Sequence, residues 1–170
     1  GAVMELPNET LERVECDDDP DKTAATFRIF TGADGVSRRW SVPGDWAEVA
    51  DDGGLILLGR GSVCINTGGE KVFPEEVEES LKQHPTVRDA VAVGIPDDRF
   101  GETICAVVEA VDGADVHLEE LSAHVREHLA AFKSPRHVVV VDSIGRAPNG
   151  KVDYKRLRDL AARTLSAGAG

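Results

Sequence analysis

The apolar positions of this 170-residue chain change period along its length, and the changes divide it. Residues 1–22 hold the acidic run Glu15-Cys16-Asp17-Asp18-Asp19-Pro20-Asp21 and no sustained apolar period, which predicts a loop, with residues 1–17 disordered. Through residue 40 no complete set of apolar faces is visible. Trp46 to Ala50 and Leu55 to Gly59 flank Asp51-Asp52-Gly53-Gly54, the pattern of a β-hairpin. Val63-Cys64-Ile65, bracketed by Gly61, Gly68 and Gly69, reads as a brief strand. Pro74 followed by Glu75, Glu76 and Glu78 predicts a helix start, because proline fits the first turn and carboxylates complement the helix dipole. That helix should end near residues 83–85. Val87 to Ile95 and Thr103 to Val111 read as strands joined by the turn from Pro96 to Gly101. Leu118, Leu121, Val125 and Leu129 recur at helical spacing, predicting an amphipathic helix over 118–131. Val138 to Val141 predicts a buried strand, and Tyr154 to Leu165 a last helix. The order β, α, β, β, α, β, α predicts a small α+β domain, a mixed or antiparallel sheet with packed helices.

Composition narrows the partners. Hydrophobic residues make up 41% and charged residues 29%, enough for one ordinary core, but aromatics are only 5% and the net charge is -12. A chain so acidic and so poor in stacking side chains is unsuited to nucleic acid or to anionic membrane surfaces. Basic residues gather only around Lys133, Arg136, Arg146 and Lys151. Cys16, Cys64 and Cys105 are odd in number and widely spaced, which suggests neither a disulfide framework nor a zinc motif and fits a reducing cytoplasm. No apolar stretch approaches the ~20 residues needed to span a bilayer.

Four short motifs carry the candidate chemistry: Pro43-Gly44-Asp45-Trp46; Gly59-Arg60 leading to Gly68-Gly69-Glu70 and the Pro74-Glu75-Glu76-Val77-Glu78 helix start; Phe132-Lys133-Ser134-Pro135-Arg136; and Pro148-Asn149-Gly150-Lys151-Val152. Each alone is an ordinary turn, hairpin or capped helix. In this order and spacing, together with Asp19-Pro20-Asp21-Lys22-Thr23, they resemble the C-terminal signature of the adenylate-forming superfamily of acyl-CoA synthetases, peptide adenylation domains and luciferases. The resemblance covers residues 18 to 160. The stretch from Gly68 to Glu78 is most similar to acyl-CoA ligases of fatty-acid and sterol side-chain metabolism.

The resemblance implies a division into a remnant of a large N-terminal domain over 1–60, a hinge at 61–63 and a mobile lid domain over 64–170. It implies ATP, with Mg2+, and CoA as cofactors, a carboxylic acid as substrate, and a missing N-terminal domain that holds the phosphate loop and the acyl pocket. Lys151 then matches the adenylation lysine, whose ammonium stabilises charge as a carboxylate attacks the α-phosphate. Asp45 matches the ribose-binding aspartate, since one carboxylate can accept both ribose hydroxyls, with Arg60 as its neighbour at the nucleotide. Gly68, Gly69 and Glu70 match the border of the pantetheine channel, and Phe100, Phe132, Lys133 and Arg136 the rest for the CoA nucleotide. Two positions depart from the pattern. Ser62 stands where the hinge residue is often Asp or Lys, and Gly145 stands where many members have proline.

Two further features weigh less. His124 and His128 have the spacing of paired metal ligands, but without a third ligand pattern a solvated helix face is the favoured reading, and no metal is expected. Cys105, in an apolar strand, reads as core. The expected function is therefore the C-terminal portion of an ATP-dependent acyl-CoA ligase, inactive alone. A non-catalytic lid module that binds CoA or a partner, and a carrier-protein adenylation domain, are the alternatives.

Overall fold

The computed structural model describes residues 19–42, 44–60 and 63–168, so the expectations for residues 1–17, Pro43 and the Ser62 hinge lie outside the described residues. The chain forms two compact units that divide between residues 62 and 63.

The N-terminal unit opens with helix α1 (Pro20–Thr26), started by the Asp19 carboxylate, which accepts the Lys22 N–H at 2.9 Å, and by Pro20 in the first turn. Strands β1 (Phe27–Thr31) and β2 (Ser37–Ser41) then pair antiparallel. This helix and hairpin correct the expectation that residues up to 40 carry no regular pattern. The turn signal was Gly32-Ala33-Asp34-Gly35, in which Asp34 accepts the Val36 N–H and pairs with Arg38 at 2.6 Å. Strands β3 (Asp45–Val49) and β4 (Leu55–Arg60) form the expected hairpin, and its register sets Asp45 opposite Arg60.

The C-terminal unit is built on a mixed five-stranded sheet. Strands β5 (Ile65–Thr67) and β6 (Glu70–Val72) form a small hairpin, β7 (Val87–Asp97) and β8 (Gly101–Ala110) a long one, and β9 (His137–Val141) runs parallel beside β8. The predicted strand over 63–65 is displaced, with pairing beginning at Ile65, because the two-residue turn Gly68-Gly69 fixes the register of Thr67 against Glu70. Helices α2 (Pro74–Lys82) and α3 (Leu118–His128) cover one face, and α4 (Tyr154–Gly168) the other. The predicted helix over 118–131 stops at His128, and a 3-10 turn occupies Ala131–Lys133. Val140 of β9 is 53% exposed, so that strand is only partly buried.

Two covered faces explain why β7 and β8 read as nearly continuous apolar runs rather than as alternation. Ala90, Ala92, Ile104, Ala106 and Val108 pack with Val77, Leu81, Leu121 and Val125. Val91, Val93, Ile95, Cys105 and Val107 pack with Leu157 and Ala161 of α4. Cys105 is core as expected, and burial pushes its thiol up to about 12. The β7–β8 register shifts between Val87 and Asp89. That irregularity changes the parity of the strand, so Val87 joins the same cluster as Ala90, and Asp89 alternates onto the α4 side with Val91. Among the described residues no helix is long and apolar enough to cross a membrane.

Candidate functional site

The loop that carries Lys151 is suspended between two anchors. Before it, Arg146 donates from Nε to Asp89 Oδ2 at 2.6 Å and from Nη2 to Asp89 Oδ1 at 2.8 Å, a bidentate pair whose side chains are 30% and 20% exposed. The Arg146 hydrogen bonds, ahead of the opposing cost of burial, hold the Asp89 carboxyl below the usual carboxylate range. After the loop, the Tyr154 hydroxyl donates to Glu78 Oε1 at 3.0 Å. The same oxygen accepts the N–H of Ala92 at 3.1 Å, a donor on the edge strand β7. Burial dominates at Glu78 and raises its carboxyl above the ordinary value, while burial and the neighbouring Glu78 push the Tyr154 phenol up.

Between the anchors the backbone closes on itself. The Ala147 N–H donates to the Lys151 carbonyl at 2.9 Å, the Gly150 N–H to the Ala147 carbonyl at 2.8 Å, and the Lys151 N–H to Asn149 Oδ1 at 3.1 Å. Asp153 then starts α4 by accepting the Arg156 N–H at 2.9 Å. Gly145, where proline was the family expectation, has φ +71, a conformation closed to proline, and a Cβ there would come within 2.9 Å of Arg156. Lys151 itself is exposed, and among the described residues its ammonium has no ion-pair partner, whereas the cations of Arg146 and Lys133 are neutralised by Asp89 and Glu76.

The Gly68-Gly69 turn lies at the other end of β7. Its Gly68 N–H donates to the Phe100 carbonyl at 2.8 Å, and a Cβ on Gly68 would touch the Phe100 ring at 3.5 Å. The Phe100 loop is shaped by Asp97, whose Oδ1 accepts the N–H groups of Arg99 and Phe100, both at 2.9 Å. Above the ring stand two guanidinium groups, Arg136 at 4.3 Å and Arg99 at 5.0 Å. Gly69 has φ +88 and nothing within 4 Å of a Cβ position, so the turn leaves an open lane beside Glu70.

The sequence-derived residues thus fall into separate groups. Phe100 and Arg136 come together beside Gly68. Phe132 stacks instead with its neighbour Lys133 at 5.9 Å, and Lys133 is drawn to Glu76 at 2.5 Å; among the described residues no ring contact joins Phe132 to Phe100. Asp45 and Arg60 are opposed in register, while their side chains lie outside what is described. From Asp89, where the Lys151 loop is anchored, to Asp97 β7 advances eight residues, or ~26 Å at the rise of an extended strand. Sequence reading missed Asp89, Glu78 and Tyr154. An aspartate at the head of the apolar run of β7 and a glutamate on the buried face of α2 were the available signals.

Residues 76–151 match the AMP-binding enzyme C-terminal domain. The chain is 54% identical over 141 residues to a 3-oxocholest-4-en-26-oate–CoA ligase of Rhodococcus rhodochrous, covering 83% of this chain and 24% of that protein. It is 51% identical over 142 residues to a medium/long-chain-fatty-acid–CoA/3-oxocholest-4-en-26-oate–CoA ligase of Mycolicibacterium smegmatis, covering 84% and 25% respectively. Among solved structures, o-succinylbenzoate CoA synthetase of Bacillus subtilis, in complex with its acyl-adenylate intermediate, superposes with a TM-score of 0.71 at 30% identity over 84% of this chain and 27% of that one. The chain spans about a quarter of the length of the curated relatives it matches. Sequence and fold agree, and this chain carries the C-terminal domain of the AMP-binding, adenylate-forming enzymes.

Proposed function

We propose that this chain is the C-terminal portion of an ATP-dependent acyl-CoA ligase that converts a carboxylic acid, ATP and CoA to acyl-CoA, AMP and pyrophosphate through an acyl-adenylate. The observation that carries this reading is the separation of an unpaired, loop-borne lysine from an open glycine turn by the length of β7. One domain then holds two stations, and a rotation about residues 61–63 presents one or the other to the same reaction centre.

In the first half-reaction the Lys151 ammonium lies against the oxygens that gain charge during attack on the α-phosphate. Asp45 accepts the ribose hydroxyls, with Arg60 across the hairpin. In the second, Gly68, Gly69 and Glu70 border the channel for the pantetheine thiol, and Phe100 with Arg136 meets the CoA nucleotide, where an aromatic face and a cation suit adenine and phosphate. Phe132 and Lys133 flank that surface. Residues 1–60 belong to the large domain, 61–63 to the hinge and 64–170 to the lid. ATP and Mg2+ are held mainly by the N-terminal domain outside this chain. The acid is a fatty acid or a sterol side-chain acid, as in the names of the relatives, and the protein works in the cytoplasm.

The test is a pair of assays on the 170-residue chain and on a full-length ligase containing it. Pyrophosphate release and thioester formation with free CoA are expected from the full-length protein and not from the chain alone. Release by the chain alone would overturn the reading. CoA binding by a chain whose full-length form adenylates nothing would favour the non-catalytic module.

A further inference from the structure

Of the features this function leaves unused, the histidine cluster at the end of α3 is the most developed. His124, Glu127 and His128 occupy positions i, i+3 and i+4 and so share a face of the helix. One ligand atom from each lies within 4.8 Å of the other two. The sequence favoured a solvated pair, yet only His128 and Glu127 are exposed. His124 is partly buried and reaches across to α2.

Hydrogen bonding fixes the chemistry of both rings. A carbonyl oxygen can only accept, so the nitrogen facing it carries the proton. His124 Nε2–H donates to the Ser80 carbonyl at 2.9 Å, and His128 Nδ1–H donates to the His124 carbonyl at 2.9 Å. In the neutral tautomer these bonds select, each imidazole offers its second nitrogen, Nδ1 of His124 and Nε2 of His128, as a lone-pair donor. A ring N–H held by a backbone carbonyl is the outer support that sets tautomer and orientation in metal-bound histidines. The two rings lie 4.8 Å apart between centroids, and the His84 ring packs edge-on against His124 at 5.3 Å, walling the inner side. His84 is itself engaged by Thr86, Nδ1 to Oγ1 at 2.9 Å. The cluster also falls in the last turns of a helix, where the carbonyl end of the dipole favours positive charge.

We propose that His124, Glu127 and His128 form a binding site for a divalent transition-metal cation of the Zn2+ class. Two imidazole nitrogens and one carboxylate oxygen match the borderline character of Zn2+ and leave a coordination position for water. Mg2+ and Ca2+, which prefer oxygen-only shells, are excluded by the two nitrogens. The proposal is independent of the ligase reading, because no residue of either station takes part.

The experiment titrates the metal-free 170-residue chain, without a polyhistidine tag, with Zn2+ by calorimetry and follows Co2+ substitution by visible absorption. One equivalent of Zn2+ should bind and raise the melting temperature, as any ligand of the folded state does, and Mg2+ should do neither. Because loss of an outer-shell partner already costs ~10–100-fold in metal affinity, His128→Ala should weaken binding at least tenfold, and Glu127→Gln should weaken it by a smaller factor. His117→Ala and Cys64→Ser should leave it unchanged. Unaltered affinity in His128→Ala with a native circular dichroism spectrum, loss of binding only in Cys64→Ser, or no binding by the unaltered chain would each overturn the proposal.

Discussion

Arg146 grips Asp89 with two hydrogen bonds of 2.6 and 2.8 Å, and this single pair ties the start of the Lys151 loop to the sheet. Strand alternation sets Asp89 on the α4 side with Val91, opposite Ala90, while the irregularity before it returns Val87 to the Ala90 side. In a full-length ligase, Asp89→Ala or Arg146→Ala should slow adenylation by ~10–100-fold, the scale of a small misplacement of a reacting group. Thioester formation from supplied acyl-adenylate should change little. Arg146→Lys should rescue poorly, because an ammonium cannot replace the bidentate fork. Equal losses in both half-reactions would make the pair purely structural.

The same pair sets a pH dependence. Asp89 has its carboxyl lowered from 3.8, first by hydrogen bonding from Arg146, so its contribution to stability is present above that ordinary value and is lost as pH falls through the lower folded one. The melting-temperature advantage of the unaltered chain over Asp89→Asn should therefore be full near neutrality and shrink progressively in acid. An advantage that grows on acidification would contradict this sign.

Glu78 has the opposite sign. Burial raises its carboxyl above 4.5, so its ionisation weighs against the fold, and the stability it contributes is greatest below 4.5 and fades as pH rises through the folded value. Glu78→Gln retains an Oε1 acceptor for the Ala92 N–H and the Tyr154 hydroxyl, and should gain on the unaltered chain as pH increases. Glu78→Ala strands both donors and should cost about 1–3 kcal/mol in urea unfolding. A Gln variant that weakens with rising pH would refute the assignment.

Phe100 and Arg136 should matter to the second half-reaction alone. Adenine against an aromatic face and phosphate against a guanidinium are each worth ~1–3 kcal/mol, so Phe100→Ala or Arg136→Ala should raise the KM for CoA by about 5–100-fold and spare pyrophosphate release. Steady-state kinetics in CoA against single-turnover adenylation separates the two.

Much of this was legible along the chain and some was not, for definite reasons. The strands β7 and β8, helix α2 with its Pro74 start and the β3–β4 hairpin follow from local period and turn chemistry, and were read close to their limits. The β1–β2 hairpin was missed because its apolar residues do not alternate cleanly and several stay exposed, Ile29 at 71%. The parallel placement of β9 beside β8 depends on a crossover through α3, which periodicity does not report. For the proposed site, Lys151, Gly68 and Gly69 were singled out through motif order. Their supports, Asp89, Glu78 and Tyr154, act through contacts spanning 57 to 76 residues, which a pattern read along one chain does not contain. The meeting of Phe100 with Arg136 is of the same long-range kind. His124 was misjudged as solvated because its partner, the Ser80 carbonyl, belongs to another helix.

Alternation of one domain between two stations is put to the test by measuring both half-reactions for Lys151→Ala and Gly69→Leu in a full-length ligase. Lys151→Ala should lose ~10²–10³-fold in adenylation, the scale of one preorganised charge-stabilising donor, and keep thioester formation from supplied acyl-adenylate. Gly69→Leu places a side chain in the open space of the turn, at a φ of +88 that strains a leucine by ~1–2 kcal/mol, and should show the mirror pattern in a protein that stays folded at a lowered melting temperature. Equal loss in both steps for both variants, with both proteins still folded at the assay temperature, would contradict the alternation.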